Sequence, residues 1–288
     1  HRDLHSFPTR RSSDLVGGSI GDASMLKLEY RYSASAAGGT DNNGALRSQK
    51  IKVPGISAIT QDYEYDLLNR ISVARETVGS ATIWRQGFVY DRYGNKRFDP
   101  GTTTTLPADN AIFNPSTDPN SNRFATGQGY LYDTEGNVTA MPDGTGYAFN
   151  ADNKTTHVLN PSGQVAASYS YDGNGLRVKK TVGNQETFFV YDAFGKLVAE
   201  YVTNQSVTPT GTRFLTTDVV GSPRLATNNL GNAVSRHDYL PFGEEISAGV
   251  ANRPQTAGYA ANDGVRQQFA GYQRDVETGL DFAQARFY

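Results

Sequence analysis

The phrase Tyr-Asp-x-x-Gly returns along this chain, and a returning phrase constrains a fold more than any single motif. It stands at Tyr90-Asp91-Arg92-Tyr93-Gly94, Tyr132-Asp133-Thr134-Glu135-Gly136, Tyr171-Asp172-Gly173-Asn174-Gly175 and Tyr191-Asp192-Ala193-Phe194-Gly195. A variant, Tyr65-Asp66-Leu67-Leu68-Asn69, precedes them, and a worn copy, Phe149-Asn150-Ala151-Asp152-Asn153, falls between. Most steps are one or two multiples of about 20 residues, the mark of a repeat architecture whose units bury their apolar faces against one another.

Each copy predicts a β-hairpin. Before the Asp, aromatics sit two apart, as in Tyr63 and Tyr65, Phe88 and Tyr90, Tyr130 and Tyr132, Tyr169 and Tyr171, Phe189 and Tyr191. Residues two apart share one face of a strand. After the turn the alternation resumes, as in Ile71 and Val73 or Leu176 and Val178. Asp bonds its own backbone two residues on, and Gly or Asn accepts positive φ. That suits a type I turn closed by a left-handed residue. Tyr is a good rung for such a sheet, with an apolar body and a hydroxyl that can reach water. Propeller blades need about 40–50 residues and signatures such as Trp-Asp; the one tryptophan here, Trp84, is followed by Arg85.

Composition fits an all-β chain rich in turns, with 30 Gly, 17 Tyr and 14 Phe but 2 Met among 288 residues. The formal net charge of -2 leaves no footprint for nucleic acid or a polybasic membrane patch. No apolar run approaches the length of a membrane span. Cysteine is absent, which excludes disulfides and thiolate metal sites.

Residues 1–15 do not read as protein. His5-Ser6-Phe7-Pro8-Thr9-Arg10-Arg11-Ser12-Ser13-Asp14-Leu15 looks like a translated sequencing adapter, so this leader is expected to be a disordered artefact and the true N-terminus to be missing. A twin-Arg export signal at Arg10-Arg11 is the rival reading, but no apolar region follows it. Residues 16–203 are expected to form the hairpin sheet, with Leu26, Leu28, Tyr30 and Tyr32 alternating as an early strand. A loop insertion is expected near 100–124, marked by four Thr at 102–105. From 204 to 288 the period is lost and new phrases appear.

Those phrases carry a resemblance. The Tyr-Asp copies resemble the YD repeats of Rhs-type proteins, and the C-terminal third resembles the Rhs repeat-associated core. Asp218-Val219-Val220-Gly221-Ser222-Pro223-Arg224, Tyr239-Leu240-Pro241-Phe242-Gly243-Glu244, and the segment from Phe269 through Arg274-Asp275 to Tyr288 are similar to core phrases in family order. The resemblance covers roughly residues 25–288. It implies a bacterial, secreted or cell-surface shell: a curved, spiralling antiparallel sheet forming part of a hollow β-cocoon. The function it implies is encapsulation and delivery of a C-terminal toxin domain. Partners would be that toxin domain and components of a secretion apparatus or toxin complex. The alternative is a wall-associated adhesion protein binding glycans or a partner cell.

In family members able to cut themselves, the Arg-Asp matching Arg274-Asp275 contributes to an aspartyl self-protease. Such chemistry needs two carboxylates sharing a proton. The near candidate is Asp281, and the chain stops at Tyr288, where the family continues into its cleavage segment. The competing reading is a turn with a surface ion pair at Arg274 and Asp275. The expectation is therefore no enzyme, no cofactor and no metal. The Asp-x-x-Gly-Asn strings lack the ligand set of a calcium loop, and His1, His5, His157 and His237 form no ligand cluster in sequence. Gly17-Gly18-Ser19-Ile20-Gly21 lacks the lysine of a phosphate loop.

Overall fold

The turn is the part of the fold that the residues dictate most directly. In a computed structural model the chain is described at residues 14–16, 25–34, 41–104, 114–195, 197–204, 212–259, 263–283 and 287. The leader through residue 13, the Gly17 to Ile20 segment, residues 105–113 of the expected insertion, and Ala285-Arg286 with Tyr288 of the closing phrase lie outside the described residues.

At Asp66 the backbone N–H donates to the Arg70 carbonyl at 2.9 Å, and the Asn69 N–H donates back to the Asp66 carbonyl at 2.9 Å. The Asp66 carboxylate accepts from the N–H groups of Leu68 and Arg70, both at 2.9 Å. Asn69 adopts φ 60°. The same pattern of side-chain oxygen to the second and fourth N–H recurs at Asp91, Asn150, Asn160, Asp172, Asp218 and Asn228. The third residue after that Asp or Asn has positive φ each time, supplied by Gly or Asn because neither is strained there. Met141 and Leu240 start the same backbone loop with Gly144 and Gly243 at the left-handed position. The turn thus continues past residue 203, where the phrase itself is lost.

These turns string the strands into antiparallel meanders. β1(Asp14–Val16), β2(Leu26–Arg31), β3(Ser48–Lys52), β4(Ile59–Tyr65), β5(Ile71–Val78), β6(Ala81–Tyr90) and β7(Lys96–Phe98) form one sheet in sequence order. β8(Leu131–Tyr132), β9(Val138–Ala140), β10(Gly146–Phe149), β11(Thr155–Leu159), β12(Val165–Tyr171), β13(Arg177–Val182), β14(Gln185–Tyr191) and β15(Leu197–Val202) form a second. β16(Arg213–Thr217), β17(Pro223–Asn228) and β18(Ala233–Arg236) make a third, and β19(Gln273–Asp275) pairs with β20(Leu280–Phe282). The all-β, hairpin-built antiparallel fold expected from the repeats is what the structure shows. Pairing register steps at Tyr65, Tyr132, Phe149, Tyr171 and Tyr191, a bulge beside the turn, whereas the β6–β7 hairpin at Tyr90 pairs without one.

The tyrosine hydroxyls go to protein rather than water. Tyr65 donates to the Leu46 carbonyl and Tyr90 to that of Ile71, both at 2.7 Å. Tyr171 donates to the Thr155 carbonyl at 2.8 Å and Tyr191 to that of Arg177 at 2.9 Å. Ile71, Thr155 and Arg177 each open the strand that follows an earlier turn. The hydroxyls of Tyr90, Tyr171 and Tyr191 therefore latch onto the start of a preceding hairpin arm, whereas that of Tyr132 accepts from the Phe124 N–H at 2.9 Å; the Arg70 guanidinium lies 4.3 Å over the Tyr90 ring.

The chain divides into two compact units, His1–Asn114 with Arg213–Val265, and Pro115–Thr212 with Arg266–Tyr288. The first unit holds one apolar cluster of Leu26, Leu28, Ile51, Ile59 and Leu225, and another of Tyr63, Ala74, Trp84, Phe88, Phe98 and Ile246. The second is centred on Tyr147, Val158, Ala167 and Tyr169. Alternation in β2, whose Leu26, Leu28 and Tyr30 are buried and whose Lys27 and Glu29 are not, shows why one face drives the packing.

Candidate functional site

Within the second unit, the closing hairpin of β19 and β20 brings Asp275 to the sheet. Strand alternation sends Arg274 and Asp275 to opposite faces. Arg274 stands opposite Asp281 in register, and its guanidinium bonds the Asp281 carboxylate. Asp275 faces inward and is 1 % exposed. Arg177 reaches it from β13 with two bonds, Nη1 to Oδ2 at 2.5 Å and Nη2 to Oδ1 at 3.1 Å. Lys180, also on β13, places Nζ 2.8 Å from Asp275 Oδ1 and 3.0 Å from Glu277 Oε2. Tyr169 on β12 donates its hydroxyl to Glu277 Oε1 at 2.7 Å. Burial pushes the Tyr169 hydroxyl pKa far up, and the Asp275 and Glu277 carboxylates add to it, so this hydroxyl stays a donor. The rings of Tyr169, Phe189 and Phe282 stand 5.0, 5.0 and 4.0 Å from the Arg177 guanidinium carbon.

Arg274 and Asp275 are thus neighbours in sequence with separate partners. Asp281, the carboxylate weighed as Asp275's companion, lies on the other face of the hairpin with Arg274. Glu277 is the carboxylate that shares a cation with Asp275, and sequence reading did not single it out. Glu277 lies in the turn after β19, where strand alternation gives no sign of which side a residue takes. Beside these groups a groove of about 520 Å³ is lined by Phe124, Tyr147, Phe149, Tyr171, Phe282 and Phe287 among others.

The core phrases of the first unit build a second buried network. Arg224, from the Asp218 phrase, donates to Asp238 Oδ1 at 2.5 Å, to the His237 carbonyl at 2.9 Å and to Gln49 Oε1 at 3.3 Å. Arg253 holds Glu76 with both terminal nitrogens, at 2.8 and 2.7 Å, and Asp238 Oδ2 with Nε at 2.9 Å. Gln61 donates to Glu76 Oε2 at 2.9 Å, and Tyr259 donates to Asp238 Oδ2 at 2.9 Å. Burial raises the pKa of Asp238, but Arg253 and Arg224 outweigh it and hold the carboxyl below its usual range. Each charge taken from water here has several partners, which is the condition for tolerating its burial.

His237 sits at the edge of that network between two carboxylates. Its Nδ1 is 2.6 Å from Glu245 Oε1 and its Nε2 3.1 Å from Asp263 Oδ2. Burial disfavours the imidazolium, but the bonds to Asp263 and Glu245 prevail and lift its pKa to about 9. Burial likewise raises Asp263, and the bonds from His237, Ser235 and the Val265 N–H bring it down to about 2. No group of three or more potential ligand residues suited to a metal ion occurs among the described residues. The YD positions themselves, Tyr65-Asp66, Tyr90-Asp91-Gly94, Tyr132-Asp133-Gly136, Tyr171-Asp172-Gly175 and Tyr191-Asp192-Gly195, sit at hairpin ends. Among the described residues no helix is long and apolar enough to cross a membrane.

No family model matches the chain. The tRNA nuclease WapA of Bacillus subtilis strain 168 is 26% identical over 246 residues, covering 78% of this chain and 10% of the relative. The tRNA3(Ser)-specific nuclease WapA of Bacillus spizizenii matches with the same identity and coverage. The tRNA(Glu)-specific nuclease WapA of Bacillus subtilis subsp. natto is 27% identical over 175 residues, covering 54% of this chain and 7% of the relative. The chain therefore spans a tenth or less of the length of the curated relatives it matches. These names correct the expectation of no enzyme, because the matched relatives are nucleases. Among solved structures, a chain of the Photorhabdus luminescens Tc holotoxin pore superposes with TM-score 0.52 and 16% identity, covering 93% of this chain and 16% of that one. A chain of the TcdB2-TccC3-TEV crystal structure gives TM-score 0.52 and 16% identity, covering 91% and 16%. In sequence the chain is similar to a portion of WapA-type nucleases, and in fold to a portion of toxin-complex chains.

Proposed function

We propose that this chain is a shell segment of a larger Rhs-type toxin, an exported enzyme whose hairpin-repeat part encloses a C-terminal toxic domain. The observation that carries the reading is the agreement of two independent likenesses over most of the chain, one in sequence to WapA nucleases and one in fold to toxin-complex chains. The latched, bulged hairpins support it physically. A meander whose successive arms are tied by tyrosine hydroxyls adds strands in one direction without needing a separate core for each. Partners in this reading are the enclosed domain and the components that deliver it. The names of the matched relatives make tRNA cleavage the first reaction class to assay in the whole protein.

The test begins with the source locus. Sequencing beyond the codon for Tyr288 is expected to show a further, non-repetitive domain. The full product is then expressed and treated with protease, with the terminal domain alone as control. Slower digestion of that domain inside the full product supports enclosure. Equal digestion rates, or a stop codon directly after Tyr288, would sink it.

A further inference from the structure

One face of the first sheet carries charge that the fold does not use. Alternation buries Leu28, Ile51, Ile59, Ala74 and Trp84, so the residues between them face outward from β2 to β6. Across that outward face the register sets Arg31 beside Ser48, Ser48 beside Asp62, Asp62 beside Arg75 and Arg75 beside Arg85. The next row runs through Glu29, Lys50, Thr60, Thr77 and Thr82, and beyond it Lys27 stands opposite Lys52. Further along β6, Val89 is 50% exposed and stands opposite Arg97 of β7. The acids here are Glu29, 2.7 Å from Lys27 and 3.0 Å from Lys52, Asp62, 3.3 Å from Arg75, and Glu64 near the end of β4. Arg31, Lys50, Arg85 and Arg97 make no side-chain hydrogen bond or ion pair among the described residues. Like charges directly opposite cost a sheet stability, and Arg75 with Arg85 and Lys27 with Lys52 are two such pairs. The chain-wide net charge of -2 averages this face away.

We propose that this face docks on a bilayer of anionic lipids, whose phosphates take the cations that the fold leaves free. The arrangement favours a surface over a linear polymer. The cations spread in two directions, across successive strands about 4.8 Å apart and along rows two residues apart. A two-dimensional array of headgroups meets all of them at once, whereas a single extended chain meets one row. The rows hold no aromatic side chain on which a nucleobase could stack, which disfavours single-stranded nucleic acid. Ser48, Thr60, Thr77 and Thr82 add hydroxyls able to donate to phosphate oxygens. Val89 gives the face one apolar group to press between headgroups. Cations held beside an anionic leaflet add their attraction one by one, and salt screens it. The inference stands whether or not the chain encloses a toxin.

Co-sedimentation of the purified 288-residue chain with vesicles tests this. Vesicles of equal parts phosphatidylcholine and phosphatidylglycerol are expected to carry the chain down, and vesicles of phosphatidylcholine alone to leave it in solution. Raised salt should release it. Lys50→Gln combined with Arg85→Gln is expected to weaken binding by at least about tenfold while keeping the β circular dichroism spectrum of the parent. Lys179→Glu, on the second sheet, is expected to leave binding unchanged. A folded parent that ignores the anionic vesicles overturns the proposal. Undiminished binding by the double variant also overturns it, since another surface would then hold the lipid. Heparin or duplex RNA bound through Lys50 and Arg85, with no binding to the anionic vesicles, would assign the face to a polymer and overturn it equally.

Discussion

A single hydroxyl shows how the repeats are held. Tyr171 ends its strand, turns at Asp172, and sends its hydroxyl to the Thr155 carbonyl. Tyr171→Phe keeps the ring and removes the donor. It is expected to lower stability by about 1 kcal/mol, the usual net worth of such a bond, read as a shift of the thermal or urea unfolding midpoint. His237 makes a prediction of the opposite kind. Its pKa rises from 6.5 to about 9 on folding because Asp263 and Glu245 bind the imidazolium. The stabilisation is complete below pH 6.5 and is lost as pH rises through about 9. His237→Gln should flatten that slope. If parent and variant fall in parallel between these pH values, the clamp contributes nothing to stability.

At the scale of elements, buried charge binds segments distant in sequence. Arg253 reaches back 177 residues to Glu76 on β5 and also holds Asp238. Arg253→Met leaves two buried carboxylates short of a cation. The expected cost is about 3–5 kcal/mol, measured by equilibrium denaturation. A loss below 1 kcal/mol would show that water or rearrangement satisfies them. The same distances mark what was legible in the residues. The turn was readable because Asp66 and Asn69 settle it within five positions. The left-handed residue, the strand alternation and the all-β class follow from that. The tyrosine latch was not readable, since its acceptor is a main-chain carbonyl on another hairpin and no residue type announces it. Asp275 was singled out by resemblance, but its partners Arg177 and Lys180 lie 98 and 95 residues away. Nothing in the Arg274-Asp275 pair itself points to β13. Asn160 and Asn228 hid as repeats because Asn can do the Asp's work at the turn without the preceding Tyr.

The whole molecule inherits a hazard from its meanders. β15 has only β14 as a strand neighbour among the described strands, and it exposes Val198 and Tyr201. An edge with free N–H and C=O groups and apolar side chains invites pairing with another chain. Concentration-dependent light scattering is therefore expected, and Val198→Lys should reduce it without changing the circular dichroism spectrum. Undiminished scattering would move the association to another surface. One further consequence comes from the cluster that buries Trp84. It is the chain's one tryptophan, and it is 1% exposed among Phe88, Phe98 and Tyr63. Indole fluorescence is therefore a local probe. A red shift on adding denaturant will time the opening of that cluster alone, while the Lys180 site can come apart unseen by it.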